Sequence, residues 1–384
     1  MAGPMFGLKV VELAEGVGGP YAAMEMGDAG ADVVKVEKPE GDRSRGWGSK
    51  VAGDLGSTYL VLNRNKRGVL LDPNTAAGVT AIHKLTDGAD VVVYDAGWSE
   101  NPALSPDTIM ASNPRAVVLV ISAFGGQGPW ADYPPYAELG AQMTSEASLS
   151  LGRPGEVPVR IGNDNGAMYS AVYGLQAVCA ALVAVDTAGG QRIDTSAFGG
   201  LLAMRSTLWA AQSNPDEWWG FHLDSYIKPP DYGYRCKDGA ISFTLGRMSR
   251  EERDNLYKDL NMEWVRDDPL FEIVDSDPAG SFSRYGYIVR PVWEKALKEL
   301  TRAEVIEIGR RYGANVFEKQ DYEEFINSGQ VRAIGMVTEV DHPGIGPIKE
   351  QIPAWDFSDT PADIRMPAPR LGEHTAAVLA EIGV

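Results

Sequence analysis

Short runs of β-branched and aliphatic residues punctuate the first 125 residues, each separated from the next by a stretch with helical spacing. That alternation predicts a parallel sheet with crossover helices. Strands are predicted at LKVVEL (8–13), DVVKVE (32–37), GVLLD (68–72), DVVVYD (90–95) and AVVLVIS (116–122). Helices are predicted near Pro20–Ala29, Thr75–Leu85 and Pro106–Ala111. Pro20 follows Gly18 and Gly19, and proline suits the first turn of a helix, where its missing N–H costs nothing. A helix N-terminus is therefore expected beside the end of the first strand, where open α/β sheets bind ligands.

From Ala137 the pattern turns helical, with a Gly- and Pro-rich interruption at Gly152–Gly166 and then the apolar run MYSAVYGLQAVCAALVAV, read as a buried helix. A Gly189–Gly190 turn, a strand QRIDT and a second apolar helix beginning AFGGLLAM follow. Residues 224–332 are richer in charge and aromatics, with a hairpin-like YGYRCKDGAISFTL and amphipathic segments such as EKALKELTRAEVIEIGRRYG. The chain ends on LGEHTAAVLAEIGV, an amphipathic helix that needs a partner surface. The fold class expected is α/β. A large domain takes residues 1–224 and 331–384, and a small α+β domain is inserted at 225–330.

At 384 residues and 44 % hydrophobic composition the chain can bury a sizeable core. No run is read as reaching the roughly 20 apolar residues of a membrane helix, and the N-terminus lacks a signal-peptide pattern, so a cytoplasmic protein is expected. The two cysteines, Cys179 and Cys236, form no metal or disulfide framework. A formal charge of −18 argues against nucleic acid and anionic membrane as partners, since both require a basic footprint. A phosphate-bearing ligand would have to meet a local basic cluster, and two occur, at Lys35–Arg45 and Arg64–Arg67. The chain has no GxGxxG after its first strand, no P-loop, no HExxH and no CxxC, which argues against a plain dinucleotide or zinc enzyme. Gly125–Gly128 reads as a turn. Trp209, Trp218, Trp219 and Phe221 hint at an aromatic pocket.

The block GVGGPYAAMEMGDAGADVVKVEKPEGDRSRGWG, followed by YLVLNRNKRGVLLD, resembles the class III (CaiB/BaiF) CoA-transferase family. The resemblance continues through SAFGGQGP, YAELGAQM, GGQRIDTSAF and HPGIG, and ends on LGEHT at residues 371–375. It implies a Rossmann-like large domain, an interlocked homodimer, and acyl-CoA and a carboxylic acid as reactants, with coenzyme A as a substrate and no prosthetic group. It also implies a nucleophilic aspartate that forms a mixed anhydride with the acyl group. In RIGNDNGAMYSAVYG, counting back from Met168 places Asn163 at the nucleophile's position, whereas counting back from Gly174 places Asp164 there. Asp164 is preferred, because an amide cannot form the anhydride; its alternative is a simple helix N-cap.

The resemblance further carries coenzyme A contacts to Val17 and Gly18, to Lys38 as a cation for a phosphate, to Leu71, Asp72 and Asn74, to Asp95, Ala96 and Gly97, and to Pro135, Tyr136 and Ala137. Asn65, Lys66 and Arg67 match a family signature that could equally brace the fold. The chain departs from the family at YDAGWSENPAL, where a phosphate-binding residue is usual, and at Glu146. Rival readings are an α-methylacyl-CoA racemase or a CoA-linked dehydratase or lyase, and a non-catalytic CoA-binding protein. A racemase would need a histidine near Pro135, but the chain's histidines are His83, His222, His342 and His374.

Overall fold

The computed structural model describes residues 3–52, 55–133, 164–204, 233–245, 248–276 and 286–384. Two compact units emerge: one takes Met1–Ser145, Gly162–Arg205 and Gly329–Val384, the other Glu146–Ile161 and Ser206–Ser328. In the first unit the expected strands form as β1 (Lys9–Leu13), β2 (Asp32–Glu37), β3 (Lys66–Leu70), β4 (Val91–Asp95) and β5 (Val117–Ser122), joined by β6 (Arg192–Ser196). All neighbours pair in parallel, in the order β3-β2-β1-β4-β5-β6. This is the doubly wound order, whose direction reverses between β1 and β4.

Period-two alternation decides what each face of the sheet meets. Val10, Val33, Val91, Val93, Val117 and Leu119 face helices α1 (Gly18–Asp28) and α5 (Asn165–Ala188). Val11, Val34, Val69, Val92 and Val118 face α3 (Ala76–Asp87), α4 (Pro106–Ser112) and the C-terminal α13 (Thr375–Glu381). Thr75 and Ser105 cap α3 and α4 through their hydroxyls, which accept from Gly78 and Thr108 N–H. Near the N-terminus, Ser57–Leu62 forms the short α2. α6 (Ala197–Ala203) packs on α5, where a Cβ at Gly200 would lie 3.0 Å from the Ser170 nitrogen.

α5 corrects two expectations. At 24 residues it is long and apolar enough, by length and composition, to cross a membrane, so the reading that no such run exists does not hold. It is also not buried all round. One stripe, including Ala167, Ala171, Gly174, Val178 and Ala181, lies against the unit's core, while Val172 and Val183 are 41 % and 88 % exposed. Gly174 sets the close approach: a Cβ there would sit 3.0 Å from both methyls of Leu119.

The second unit pairs β7 (Tyr234–Cys236), β8 (Gly239–Thr244) and β9 (Asn315–Lys319) antiparallel, with β8 in the middle. Helices α7 (Arg250–Asp259), α8 (Phe271–Ser276), α9 (Gly286–Leu297), α10 (Arg302–Arg311) and α11 (Tyr322–Ile326) belong to it as well. Its core gathers Phe243, Tyr257, Trp293 and Val305. Ser249 and Thr301 open α7 and α10 with reciprocal capping boxes to Glu252 and Glu304.

The chain's return to the first unit, through α12 (Gly329–Ala333) and the hairpin β10 (Val337–His342) with β11 (Gly346–Gln351), seals an exposed strand edge. β3 is the outermost strand, and its free N–H groups would otherwise invite pairing. Gly68 N–H donates to His374 Nδ1 (3.1 Å) and Leu70 N–H to Thr375 Oγ1 (3.0 Å), while His374 N–H donates to Gly68 O (2.9 Å). The LGEHT motif is thus an edge cap. Asn65, in the left-handed region at φ 58°, holds the tail too: its Oδ1 accepts from Arg365 and Met366 N–H and its Nδ2 donates to Asp363 O and Asp28 Oδ1.

Beneath the first turn lies a dry charge network. Glu12 on β1, Lys35 on β2 and Lys66 on β3 are each fully buried. Lys35 Nζ pairs with Glu12 Oε1 and Asp42 Oδ2, both at 2.7 Å, and donates to Ala14 O. Lys66 Nζ pairs with Glu12 Oε2 at 2.8 Å and donates to Pro20 O and Asn63 Oδ1. Burial works to lower both amines. Asp42 and Glu12 overcome it at Lys35, which is raised, whereas Lys66, with Lys35 opposing it, is pushed down to about 8. Replacing Lys35 by Met leaves Glu12 and Asp42 without their shared cation. Denaturant unfolding of Lys35→Met should show a loss of about 3–5 kcal/mol, and a loss below about 1 kcal/mol contradicts this role.

Candidate functional site

The crevice at the β1/β4 reversal is the place where a doubly wound sheet accepts ligands. Three loops meet there: residues 14–18 after β1, the loop after β2 and residues 95–98 after β4. Asp95, the last residue of β4, is the fastener. Its Oδ2 accepts from Glu15 N–H (2.6 Å) and its Oδ1 from Gly97 N–H (2.7 Å). Burial pushes the Asp95 carboxyl up to about 7; the Glu15 carboxylate adds to the rise, while the two N–H groups and Arg43 oppose it.

Lys38 bridges the same loops. Its Nζ donates to Gly97 O at 2.7 Å, pairs with Glu15 Oε1 at 3.2 Å and stands 5.3 Å above the Trp98 ring. The flexible phosphate cation expected from the sequence is therefore a tethered one, and an anion reaching it meets the Glu15 carboxylate as well. Asp42 Oδ1 accepts from Gly16 N–H (3.1 Å) and from Ser44, tying the first turn to the buried network. The Arg43 guanidinium lies beside Gly16, where a Cβ would fall 2.8 Å from Nη2.

The remaining expected contacts divide by how much they can offer. Leu71 is 7 % exposed and packs in the core, so only its backbone is available, and its N–H is already given to Glu37 O. Asp72 shapes the turn: its Oδ1 accepts from Asn74 N–H and its carbonyl from Thr75. Asn74 is exposed, and Ala96 and Gly97 are half-buried. Asn101 Nδ2 donates to Pro73 O at 2.7 Å, linking the loops after β3 and β4. Pro135, Tyr136, Ala137, Glu146 and Asn163 lie outside the described residues, as do Trp209, Trp218, Trp219 and Phe221.

Asp164 is brought to the first turn by α5. It occupies the N-cap position at φ −90°, ψ 46°, is exposed, and makes no side-chain capping bond; its carbonyl accepts from Met168 N–H. One turn on, Ala167 packs with Val17 and Leu62, flanked by Met168 and Tyr21. A Cβ at Gly18 would meet Ile121 Cγ2 at 3.1 Å and Ser170 Oγ at 3.2 Å, so the start of α1 can approach α5 this closely only as glycine. Two helix N-termini thus converge near one exposed carboxylate.

Sequence reading missed Glu15 and Trp98, and took Arg43 only as part of the Lys35–Arg45 basic cluster, because each acts through a contact between loops far apart in sequence. It also missed a cluster at the ends of β5 and β6, where Phe124 stacks edge-on to Trp130 and Tyr133 at 5.2 and 5.3 Å and Phe198 lies 5.6 Å from Trp130. Of the histidines, His83 is on α3, His342 ends β10 and His374 caps β3. Among the described residues no group of three or more His, Cys, Asp or Glu side chains could hold a metal ion.

Comparison with known proteins agrees with this architecture. The profile of CoA-transferase family III matches residues 5–375. Succinate–glutarate CoA-transferase of Agrobacterium fabrum is 26 % identical over 392 residues, covering 99 % of this chain and 96 % of that protein. The beta subunit of succinyl-CoA–L-malate CoA-transferase of Chloroflexus aurantiacus is 29 % identical, covering 99 % and 94 %. Among solved structures, a CaiB/BaiF family protein from Brucella suis superposes with a TM-score of 0.84 at 24 % identity, covering 100 % of both chains. With the profile spanning nearly the whole sequence and the doubly wound sheet beneath it, the chain belongs to CoA-transferase family III and is an enzyme of that class.

Proposed function

We propose that the enzyme moves coenzyme A from an acyl-CoA thioester to a free carboxylic acid, with Asp164 as the nucleophile. The observation that carries this reading is the exposed Asp164 carboxylate, uncommitted to capping its own helix and one turn from the Val17–Ala167 contact. One carboxylate oxygen attacks the thioester carbonyl carbon. The C–S bond breaks, coenzyme A leaves as the thiolate, and a mixed anhydride remains on Asp164. The thiolate then attacks the aspartyl carbonyl, releasing the donor acid as its carboxylate and leaving Asp164 as a thioester. The acceptor carboxylate reverses these steps with its own acyl group and restores Asp164 in its ionised form. No net proton is consumed, and each intermediate retains the acylating power of the starting thioester.

Nucleotide binding is assigned to Val17, Gly18, Lys38, Leu71, Asp72, Asn74, Asp95, Ala96 and Gly97, with Pro135, Tyr136 and Ala137 nearer the acyl end. The similarity to enzymes named for succinate, glutarate and L-malate supports short dicarboxylic acids as the class to assay first. Exchange activity decides between the two candidate positions. Asp164→Ala should lose about 10⁴-fold or more, while Asn163→Ala stays within about tenfold; the reverse pattern moves the nucleophile to residue 163.

An interlocked homodimer is proposed as the working state. The exposed apolar side of α5, with Val172 and Val183 uncovered, supports a second copy as the cover. Sedimentation at nanomolar concentration should return a dimer, and a monomer there contradicts this reading.

A further inference from the structure

A second cavity lies in the first unit, lined by none of the residues assigned above. It measures about 180 Å³ and is bounded by Leu55, Ile345, Met366, Pro367 and Ala368, with His342, Arg370, Glu373 and His374 as its polar lining. That is smaller than the roughly 300 Å³ at which drug-sized pockets begin, so the ligand it suits is a small one. The polar groups are arranged in depth. Arg370 and Glu373 are exposed at the mouth, whereas His342 is 2 % exposed.

The hydrogen bonds already made determine what each group has left. His374 Nδ1 accepts from Gly68 N–H, which puts the neutral imidazole's proton on Nε2 and leaves a donor. His342 Nε2 is 2.7 Å from Glu350 Oε1, and a carboxylate only accepts, so Nε2 carries the proton and, in the neutral imidazole, Nδ1 is left as an acceptor. Glu350 is itself fixed by Arg64, 3.5 Å from its second oxygen, and Arg64 is held by Asp28. Arg370 spends one N–H on Pro343 O (2.8 Å), and the rest of its guanidinium remains a donor. Glu373 accepts from Arg370 N–H (2.8 Å).

The cavity therefore presents donors from Arg370 and His374 and one deep acceptor on His342, beside apolar walls. We propose that it binds a small hydroxycarboxylic acid: the carboxylate faces Arg370 and His374, and the hydroxyl donates to His342 Nδ1. A buried acceptor left without its donor is the feature that discriminates against the acid lacking the hydroxyl.

The chain's four histidines make the test direct. Enzyme labelled at the histidine ring carbons is titrated with lactate and, separately, with propionate, and followed by NMR. Lactate should produce saturable shifts in two of the four signals while that of His83, assigned through His83→Gln, stays fixed. Propionate should bind at least about fivefold more weakly, the worth of one hydrogen bond. In Arg370→Gln, a change at an exposed side chain, the lactate shifts should be lost. The proposal is overturned by lactate shifts that do not saturate, by their persistence in Arg370→Gln, or by equal affinity for the two acids. None of these outcomes bears on exchange at Asp164.

Discussion

Two lysine ammonium groups sealed from water on adjacent strands would each cost several kcal/mol if left alone. Here Glu12 lies between Lys35 and Lys66, and Asp42 closes the set. Each amine also donates to a backbone carbonyl, Ala14 O for Lys35 and Pro20 O for Lys66. Those two carbonyls bracket the first turn. Asp42 holds the same turn from the other side through Gly16 N–H. The network thus fixes the one loop that must be rigid if α1 is to present its N-terminus at the sheet's reversal, and it does so with interactions that water cannot compete for.

From that turn the rest of the site follows by contact. Gly18 lets α1 meet α5 at Ser170, and Val17 packs on Ala167. Asp95 joins the β1 and β4 loops, and Lys38 crosses between them. The rim facing an anionic ligand therefore mixes Lys38 and Arg43 with Glu15 and Asp95, rather than forming a purely basic patch. For a chain of net charge −18, the proposed binding of coenzyme A would rest on the geometry of a few tethered cations and on helix N-termini rather than on the protein's overall field.

The sheet was legible because burial on both faces leaves runs such as VVVYD with no polar interruption, and because the turns between strands carry glycine, proline and capping residues. α5 was only half legible. Its composition is apolar throughout, and composition alone does not tell a helix covered on all sides from one with an uncovered face, such as that bearing Val183. The LGEHT motif showed family membership but not its task, since a histidine that caps a strand edge is specified by β3, some 300 residues earlier in the chain. Lys38 was found and its tether was not, for the same reason: Glu15 and Gly97 reach it through folding rather than through sequence neighbourhood.

The proposed chemistry acylates a carboxylate at the start of α5. Incubating the enzyme with an acyl-CoA, trapping with borohydride or hydroxylamine and mapping the peptides by mass spectrometry reads that event at the residue. The account predicts one modified carboxyl group, on Asp164, formed only when acyl-CoA is present. An unmodified Asp164, or an adduct on another residue, would contradict it.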